Sequence, residues 1–253
     1  MPEWPNGMGL GPIGLVPTQV RILSSAILNK MTILICSDRD GTINLDDNYY
    51  LGSQENWQEL VQFLPGVIKG IKLLNQIIET HFYILTNQPG VALATPNMSL
   101  LTRGRMNEVN RYIIEQLRLQ GAHVDGYFAC PFVDQAYIKR KEKPVYAEYF
   151  HPNHPDMKPN IGMIRKAAQD LKMKLEDIDF KFMIGDRASD IEMGLNASCI
   201  SIYIASIKSK ELNDTSKIKK MKKQYQKRVF IVNDFYHATK LIRNYVFFGS
   251  IPK

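Results

Sequence analysis

The residues best suited to chemistry in this sequence stand in the stretch CSDRDGTINLDDNYY, which runs from Cys36 to Tyr50. It holds four Asp residues within ten positions, and Asp38 and Asp40 directly follow the apolar run TILIC. Carboxylates this close repel one another, so such a group either takes up protons or binds a cation. Two hypotheses follow: a solvated acidic loop, or a site for a metal ion and a phosphate.

Two later strand-like runs also end in polar residues: Thr86, Asn87 and Gln88 after HFYIL, and Asp186 after FKFMIG, with Asp190 four positions further on. A helix cap explains one such Asp but not several at one edge. In parallel sheets, ligands bind at the carboxyl ends of the strands, so we expect these side chains to meet there. Hard oxygen ligands suit Mg²⁺. Gly41 lets the chain turn sharply towards an anion, and Lys158 could supply a compensating positive charge.

The elements that must position these side chains follow from hydrophobic spacing. Helical periodicity appears at Val67, Ile71, Leu74 and Ile78, at Met106, Val109, Ile113 and Leu117, at Ile161, Ile164, Ala168 and Leu171, after Asp186, and around Ala238, Leu241 and Tyr245. Strand-like runs stand at 32–37, 81–86, 127–132, 180–186, 199–205 and 228–232. Strict alternation of strand and helix predicts an α/β, Rossmann-like parallel sheet with helices on both faces.

The bulk composition is that of one globular domain. The chain has 253 residues, 45% hydrophobic and 23% charged, and no apolar run approaches the roughly 20 residues that span a bilayer. Residues 1–30 carry no Lys or Arg before Arg21 and are broken by Pro and Gly, so we expect a poorly ordered extension before a domain at 31–253. The Cys residues, an odd number and widely spaced, favour a reducing compartment such as the cytoplasm.

The positive charge of the chain is local. The net charge is +7, but residues 206–228 alone hold nine Lys or Arg against two acidic residues, which leaves 23 basic and 23 acidic residues elsewhere. We call 206–228 the basic strip. A solvated loop or helix face is one interpretation of it, and a contact with an anionic partner such as nucleic acid is the other.

The motif Asp38-Arg39-Asp40-Gly41-Thr42-Ile43 resembles the first motif of the haloacid dehalogenase (HAD) superfamily of phosphatases. Thr86 resembles its second motif, Lys158 its third, and Gly185-Asp186 with Asp190 its fourth, all in the family's order from about Thr32 onwards. The resemblance implies Asp38 as a nucleophile that forms an aspartyl-phosphate and Asp40 as the general acid and base.

The same resemblance implies the remaining roles. Mg²⁺ would be held by Asp38, the Asp40 carbonyl and Asp186, with Asp190 bracing the site. Thr86 would bind phosphoryl oxygens, and Lys158 would balance charge. Neither interval between motifs has room for a separate cap domain, so an open, capless site is expected.

The longer strings DRDGTINLDDNYY and TNQPGVA resemble the capless D,D-heptose 1,7-bisphosphate and histidinol phosphatases. This resemblance makes Arg39, Asn44, Asp46, Asn87 and Gln88 candidate substrate contacts, with local turns or packing as the alternative. It implies a small phosphorylated metabolite, most of all a sugar phosphate, as the substrate of a monomeric enzyme.

One segment departs from that subgroup, which carries a zinc loop of the form C-x-H…C-x-C followed by R-K-P. Here the corresponding positions read Cys130-Pro131-Phe132, His154-Pro155-Asp156 and Met157-Lys158-Pro159. Cys130, His151, His154 and Asp156 could form a degenerate tetrahedral zinc site, whereas a lone Cys in an apolar run is usually core. Met157 also removes an Arg that the resemblance assigns to substrate binding.

Other functions stay open at this point. Polynucleotide 3′-phosphatases share the DxDGT and TNQ patterns, and the basic strip would suit a DNA end, although no G-x-x-x-x-G-K-[ST] motif for a kinase half is present. A mutase normally needs a cap to exclude water. A non-catalytic binding protein is disfavoured, because no member of the catalytic set is missing.

Overall fold

The computed structural model describes residues 31–45, 50–206 and 214–249. Its strands are β1 (Ile33–Ser37), β2 (Thr80–Asn87), β3 (Gly126–Cys130), β4 (Phe180–Gly185), β5 (Ile200–Ile204) and β6 (Val229–Val232). All six pair in parallel in one sheet, in the order β3-β2-β1-β4-β5-β6. The predicted α/β parallel sheet is confirmed.

The helices are α1 (Val67–Leu74), α2 (Arg103–Leu119), α3 (Gln135–Lys141), α4 (Gly162–Asp170), α5 (Ala188–Asn196), α6 (Asp214–Gln224) and α7 (Phe235–Phe248). Side chains of β1 alternate between two cores. Ile33 and Ile35 pack with α1, α2 and α7, whereas Leu34 and Cys36 pack with α4 and α5. Helices therefore cover both faces, as strands with continuous apolar runs require.

Helix α2 shows how the sequence determines an element. Thr102 caps it by accepting a hydrogen bond from the Arg105 backbone N–H at 3.1 Å, and all four residues of its predicted apolar face are buried. A fifth buried residue, Asn110, is polar and breaks this pattern.

Two sequence predictions need correction. Helix α1 does not extend to Ile78, which is 58% exposed. The helix ends at Leu74 because Asn75 forms two hydrogen bonds with the His123 backbone, at 2.8 and 3.1 Å, and the chain then turns into β2. Hydrophobic spacing predicted no helix between β3 and Lys158, but this interval contains α3, which Asp134 caps by accepting a hydrogen bond from the Tyr137 backbone N–H.

The strand order places a switch point between β1 and β4. The chain proceeds from β1 to β2 and β3 on one side, and from β4 to β5 and β6 on the other. A crevice forms outside the carboxyl ends of two such adjacent strands, here directly after Ser37 and Gly185. Every strand of the described residues belongs to this one sheet, so no second sheet forms a cap.

Within the described ranges, no helix combines the length and apolarity needed to cross a membrane. Residues 1–30, expected to form an extension, lie outside the part of the chain that the structure describes. The domain boundary at residue 31 therefore stays a prediction.

Candidate active site

Three carboxylates meet at the switch point. Asp38 follows β1, Asp186 follows β4, and Asp190 lies in the first turn of α5. One oxygen from each lies within 4.8 Å of the others, and all three side chains are buried. We call Asp38, Asp186 and Asp190 the acidic centre. Asp38 and Asp186 are 148 positions apart in sequence, and they lie close together because β1 and β4 are neighbours in the sheet.

Gly41 allows this approach. Its φ of +84° lies in the left-handed region, and a Cβ at this position would stand 2.5 Å from Oδ2 of Asp186. A side chain here would push the first motif away from the acidic centre. Glycine is therefore required both for the turn and for the space.

Lys158 enters the acidic centre from the loop before α4. Its buried ammonium contacts Oδ1 of Asp38 and lies 2.8 Å from Oδ1 of Asp190. Burial opposes its charge, but Asp190 and Asp38 outweigh burial and raise the pKa of Lys158. Asn87 fixes the loop by accepting a hydrogen bond from the Lys158 backbone N–H at 3.2 Å. The centre thus has one stable positive charge.

One lysine does not neutralise three carboxylates. Burial, opposed by Lys158 and reinforced by Asp190 and Asp40, raises the pKa of Asp38 to about 7. Burial and the charges of Asp38 and Asp190 raise the pKa of Asp186 well above its ordinary value. Oδ2 of Asp186 accepts a hydrogen bond from Ser206 at 2.5 Å, whereas Oδ1 is buried and finds no hydrogen-bond partner among the residues that the structure describes. The acidic centre therefore holds protons or a cation.

Asp40 stands apart from the acidic centre in a network of donors. Its Oδ1 accepts from Nε of Arg39 and Nδ2 of Asn44, both at 3.0 Å. Its Oδ2 accepts from Nη2 of Arg39 and Nε2 of Gln88, both at 2.7 Å. Nε2 of Gln88 also lies 2.7 Å from the Thr86 hydroxyl. Burial alone would raise the pKa of Asp40, but the Arg39 charge and these hydrogen bonds lower it.

The candidate substrate contacts fall into two groups. Arg39 and Asn44 are buried and directed at Asp40, so their geometry favours the packing alternative. Asn87 and Gln88 line the crevice beside the acidic centre. Asp46 lies outside the described residues.

The crevice above these side chains measures about 630 Å³. Asp38, Asp40, Thr86, Lys158 and Asp190 line its base, while its rim includes Tyr50, Phe132, Tyr137, Arg140, Lys141, Arg187 and Lys217. The arginines and lysines of this rim, apart from the basic strip, were missed by sequence reasoning. The three consecutive basic residues at the end of α3 were the available signal.

The two arginines of the rim differ in environment. Nε of Arg187 is 2.7 Å from Oδ2 of buried Asp214, so its charge is already paired. Arg140 lies over the ring of Tyr137 at 5.4 Å and Lys141 over that of Tyr50 at 5.6 Å. Within the described ranges, neither Arg140 nor Lys141 has a carboxylate partner.

The side chains considered as a possible degenerate zinc site make other contacts. Cys130 is buried in an apolar cluster with Leu85 and Met163, and burial raises the pKa of its thiol to about 11. His154 stacks on Phe132 with ring centroids 3.9 Å apart.

The two remaining candidates for zinc are also engaged elsewhere. Asp156 pairs with Lys166, and the His151 ring accepts a hydrogen bond from the Asn153 backbone N–H. Among the described residues, three metal-ligating side chains converge at the acidic centre, whereas no three of Cys130, His151, His154 and Asp156 do. This donor set does not fit tetrahedral zinc.

Fold and site together define a class. A doubly wound parallel sheet whose switch point carries a buried carboxylate, a lysine, a threonine and two further acids is typical of a phosphoryl-transfer enzyme. Comparison with known proteins then identifies the family.

The family described as HAD-hydrolase-like matches residues 157–238. D-glycero-β-D-manno-heptose-1,7-bisphosphate 7-phosphatase of Rhodopseudomonas palustris is 30% identical over 155 residues, which cover 61% of this chain and 73% of that protein. The corresponding α-anomer phosphatase of Mycobacterium tuberculosis is 26% identical over 71% of this chain and 83% of its own length.

A solved structure shows the same fold. D,D-heptose 1,7-bisphosphate phosphatase from B. bronchiseptica, complexed with magnesium and phosphate, superposes with a TM-score of 0.61 at 19% identity. The match covers 84% of this chain and 99% of that one. The chain belongs to the HAD-type phosphatases, and it is a hydrolase of phosphomonoesters.

Proposed function

We propose that this protein is a Mg²⁺-dependent phosphatase that removes one phosphate from a sugar bisphosphate of the heptose 1,7-bisphosphate type. The observation that carries the proposal is the position of Asp38. Its buried carboxylate lies at the base of an open crevice, in contact with Lys158 and next to a separately held Asp40.

The residues have distinct roles in the proposed reaction. A carboxylate oxygen of Asp38 attacks the phosphorus atom, the ester P–O bond breaks, and Asp40 gives a proton to the leaving alkoxide. Asp40 then takes a proton from water, which attacks the aspartyl-phosphate and releases inorganic phosphate. Lys158 and the Thr86 hydroxyl bind the phosphoryl oxygens, and Asp190 keeps Lys158 in place.

The acidic centre fits a hard divalent cation. Oδ1 of Asp186 is buried and lacks a hydrogen-bond partner in the part of the chain described here. One carboxylate oxygen of Asp186 lies within 4.8 Å of oxygens of Asp38 and Asp190. Carboxylate oxygens are the ligands that Mg²⁺ prefers. We propose that Asp38, Asp186 and the Asp40 carbonyl hold Mg²⁺, which would neutralise charge on the transferred phosphoryl group. The magnesium in the B. bronchiseptica enzyme supports this proposal.

The proposed substrate class rests on two features. Relatives that hydrolyse heptose 1,7-bisphosphates match most of the domain. The rim of the crevice offers Arg140 and Lys141, two cations without carboxylate partners within the described ranges. A second phosphate on the substrate would supply the missing negative charge. The names of the two relatives specify different anomers, so both anomers belong in the test.

A polynucleotide 3′-phosphatase is the second candidate, because one observation favours it. Lys217, on helix α6 of the basic strip, lines the same crevice as Asp38. A nucleic acid strand that entered the site could therefore lie along α6. Histidinol phosphate is a further substrate to be included in the test, whereas the expected monomer and cytoplasmic location stay predictions.

The test is phosphate release in the presence of Mg²⁺ from a panel of phosphates. The panel contains both heptose 1,7-bisphosphate anomers, histidinol phosphate, other sugar phosphates and a 3′-phosphorylated oligonucleotide, with Asp38→Asn as the blank. We expect preferred turnover of a heptose bisphosphate that is lost in the blank. Turnover of the oligonucleotide alone would replace this assignment with end repair, and absence of any turnover would contradict the phosphatase itself.

A further inference from the structure

The carboxyl group of Asp40 must point at the leaving oxygen, and the side chain that holds it in place is that of its own neighbour in sequence. Arg39 and Asp40 are adjacent in sequence, yet the Arg39 guanidinium donates to both oxygens of the Asp40 carboxylate. A long side chain that folds back onto its neighbour needs an anchor on its far side. Without one, the entropy of a free arginine side chain opposes a single geometry.

That anchor lies on helix α2. Nη1 of Arg39 donates to Oδ1 of Asn110 at 2.8 Å, and the two residues are 71 positions apart. Arg39 itself is among the largest fully buried side chains of the protein. Within the part of the chain that the structure describes, the three nitrogens of its guanidinium contact Asp40 and Asn110.

The orientation of Asn110 is itself fixed. Its Nδ2 donates to the backbone carbonyl of Met106, four residues earlier on α2, at 2.8 Å. This bond points the amide oxygen towards Arg39. Asn110 is buried on the helix face that otherwise carries Met106, Val109 and Ile113. A polar residue is costly at such a position unless its hydrogen bonds are made.

We propose that Asn110 is a positioning residue for the reaction, which acts on Asp40 through Arg39 and touches no substrate. This inference rests on the proposed function, in which Asp40 protonates the leaving group. Asn110 holds the guanidinium, and the guanidinium fixes the carboxylate together with Asn44 and Gln88. Loss of the Asn110 oxygen frees one end of Arg39 and lets the proton donor drift from its line to the leaving oxygen.

The test uses two substrates that differ in their need for a proton. p-Nitrophenyl phosphate has a good leaving group that departs without one, whereas phenyl phosphate has a poor leaving group. Because general-acid assistance matters only for the poor leaving group, we expect Asn110→Leu to lower kcat/KM, which reports formation of the aspartyl-phosphate, about 10- to 100-fold on phenyl phosphate and less than about 3-fold on p-nitrophenyl phosphate. Hydrolysis of the aspartyl-phosphate is common to both substrates, so a loss in that second step lowers kcat equally for both and leaves the ratio of kcat/KM values unchanged.

Rescue and control variants separate positioning from folding. Asn110→Asp keeps an acceptor for Arg39 but loses the donor to the Met106 carbonyl, so it should retain clearly more activity on phenyl phosphate than Asn110→Leu, though less than the wild type. If Asn110→Leu does not fold, Asn110→Ser, which is too short to reach Arg39, should show the same selective loss. Thr239→Val removes a buried polar group elsewhere, the hydroxyl that donates to the Tyr236 carbonyl on α7. It should lower the melting temperature without changing the ratio of activities on the two substrates.

Each failure has its own signature. Equal losses on both substrates in the Asn110 variants, beside a selective loss in Asp40→Asn, would overturn the positioning role alone. Equal losses in Asp40→Asn would overturn the acid assignment and the inference with it. Undiminished turnover of the preferred panel substrate by Asp38→Asn would overturn the proposed function.

Discussion

Two regions of this molecule had the composition of a metal site, and only one has the geometry. The acidic centre gathers Asp38, Asp186 and Asp190 within 4.8 Å. The segment around Cys130 and Asp156 contains a thiol, two imidazoles and a carboxylate, yet each of these groups makes other contacts. Cys130 lies in the core, His154 stacks on Phe132, and Asp156 pairs with Lys166.

The difference between these two regions shows which structural features bring metal-ligating side chains together. The carboxylates of the acidic centre are brought together by strand order, because β1 and β4 are neighbours and end at the same edge. The donors around Cys130 depend on loops and on one strand end, so local packing decides where they point. Three local contacts hold that segment: a ring stack, an ion pair and an apolar pocket.

The sharpest test of the comparison is a matched pair of substitutions. Asp186→Asn should reduce kcat/KM by about 1,000-fold or more, because it removes a proposed magnesium ligand from the acidic centre. Asp156→Asn should change kcat/KM by less than about 3-fold, because its ion pair with Lys166 is partly exposed. Activity should be measured with Mg²⁺ on the preferred substrate from the panel. Equal losses in both variants would mean that the two regions act as one site.

Binding of Mg²⁺ should show a defined pH dependence. The pKa of Asp38 is raised to about 7 by burial, so without metal its contribution to stability is full below its ordinary value near 4 and is lost as pH rises through 7. Mg²⁺ binds the deprotonated carboxylates. At 100 times its Kd it should stabilise the protein by about 2.7 kcal/mol, and its shift of the melting temperature should grow from pH 5.5 to pH 8.

Thermal melts with and without Mg²⁺ at three pH values measure this effect. Asp186→Asn serves as the control and should show a much smaller shift at each pH. A magnesium shift that is flat across this range, or larger at pH 5.5, would contradict proton release from the acidic centre. Zn²⁺ at the same concentration should change the melting temperature of Cys130→Ser by the same amount as that of the wild type, because Cys130 lies in the core.

Substitutions at the rim of the crevice should have a smaller effect, and that effect should be on KM. Arg140→Ala with Lys141→Ala should raise KM for a heptose 1,7-bisphosphate about 10-fold or more, because each charged hydrogen bond contributes about 1.5 to 3 kcal/mol. KM for the matching monophosphate should change little. Lys139→Ala, on the same turn but outside the crevice lining, is the matched control. Equal changes in KM for both sugars would contradict a second phosphate at this rim.

The smallest expected effect is a change in stability at the stack of Phe132 on His154. Phe132→Leu removes the stack on His154 and should lower the free energy of unfolding by about 1 kcal/mol, which is the usual contribution of such a ring pair. Denaturant unfolding measures it. The chelator EDTA should leave this difference between variant and wild type unchanged. A difference that disappears in EDTA would show that a metal, rather than the stack, holds the segment.

The sequence predicts a large part of this arrangement for a physical reason. Alternating strands and helices determine a parallel sheet, and side chains that end its strands must share an edge, so Asp38, Thr86 and Asp186 could be placed in advance. The directions of the side chains could not be predicted in this way. DRDGT gives no sign that Arg39 folds back onto Asp40, because that geometry depends on Asn110 and on the packing of α2. The end of α1 at Leu74 likewise depends on a tertiary contact, between Asn75 and His123.

The contact between Arg39 and Asn110 also has an evolutionary consequence. Each side chain is buried, and each satisfies the other across 71 residues of sequence. A change at one position leaves an unpaired polar group at the other, so single substitutions at either position should be rare and paired ones tolerated. Relatives in which an apolar residue replaces Arg39 should therefore also carry an apolar residue in place of Asn110, and an alignment of the family can test this expectation.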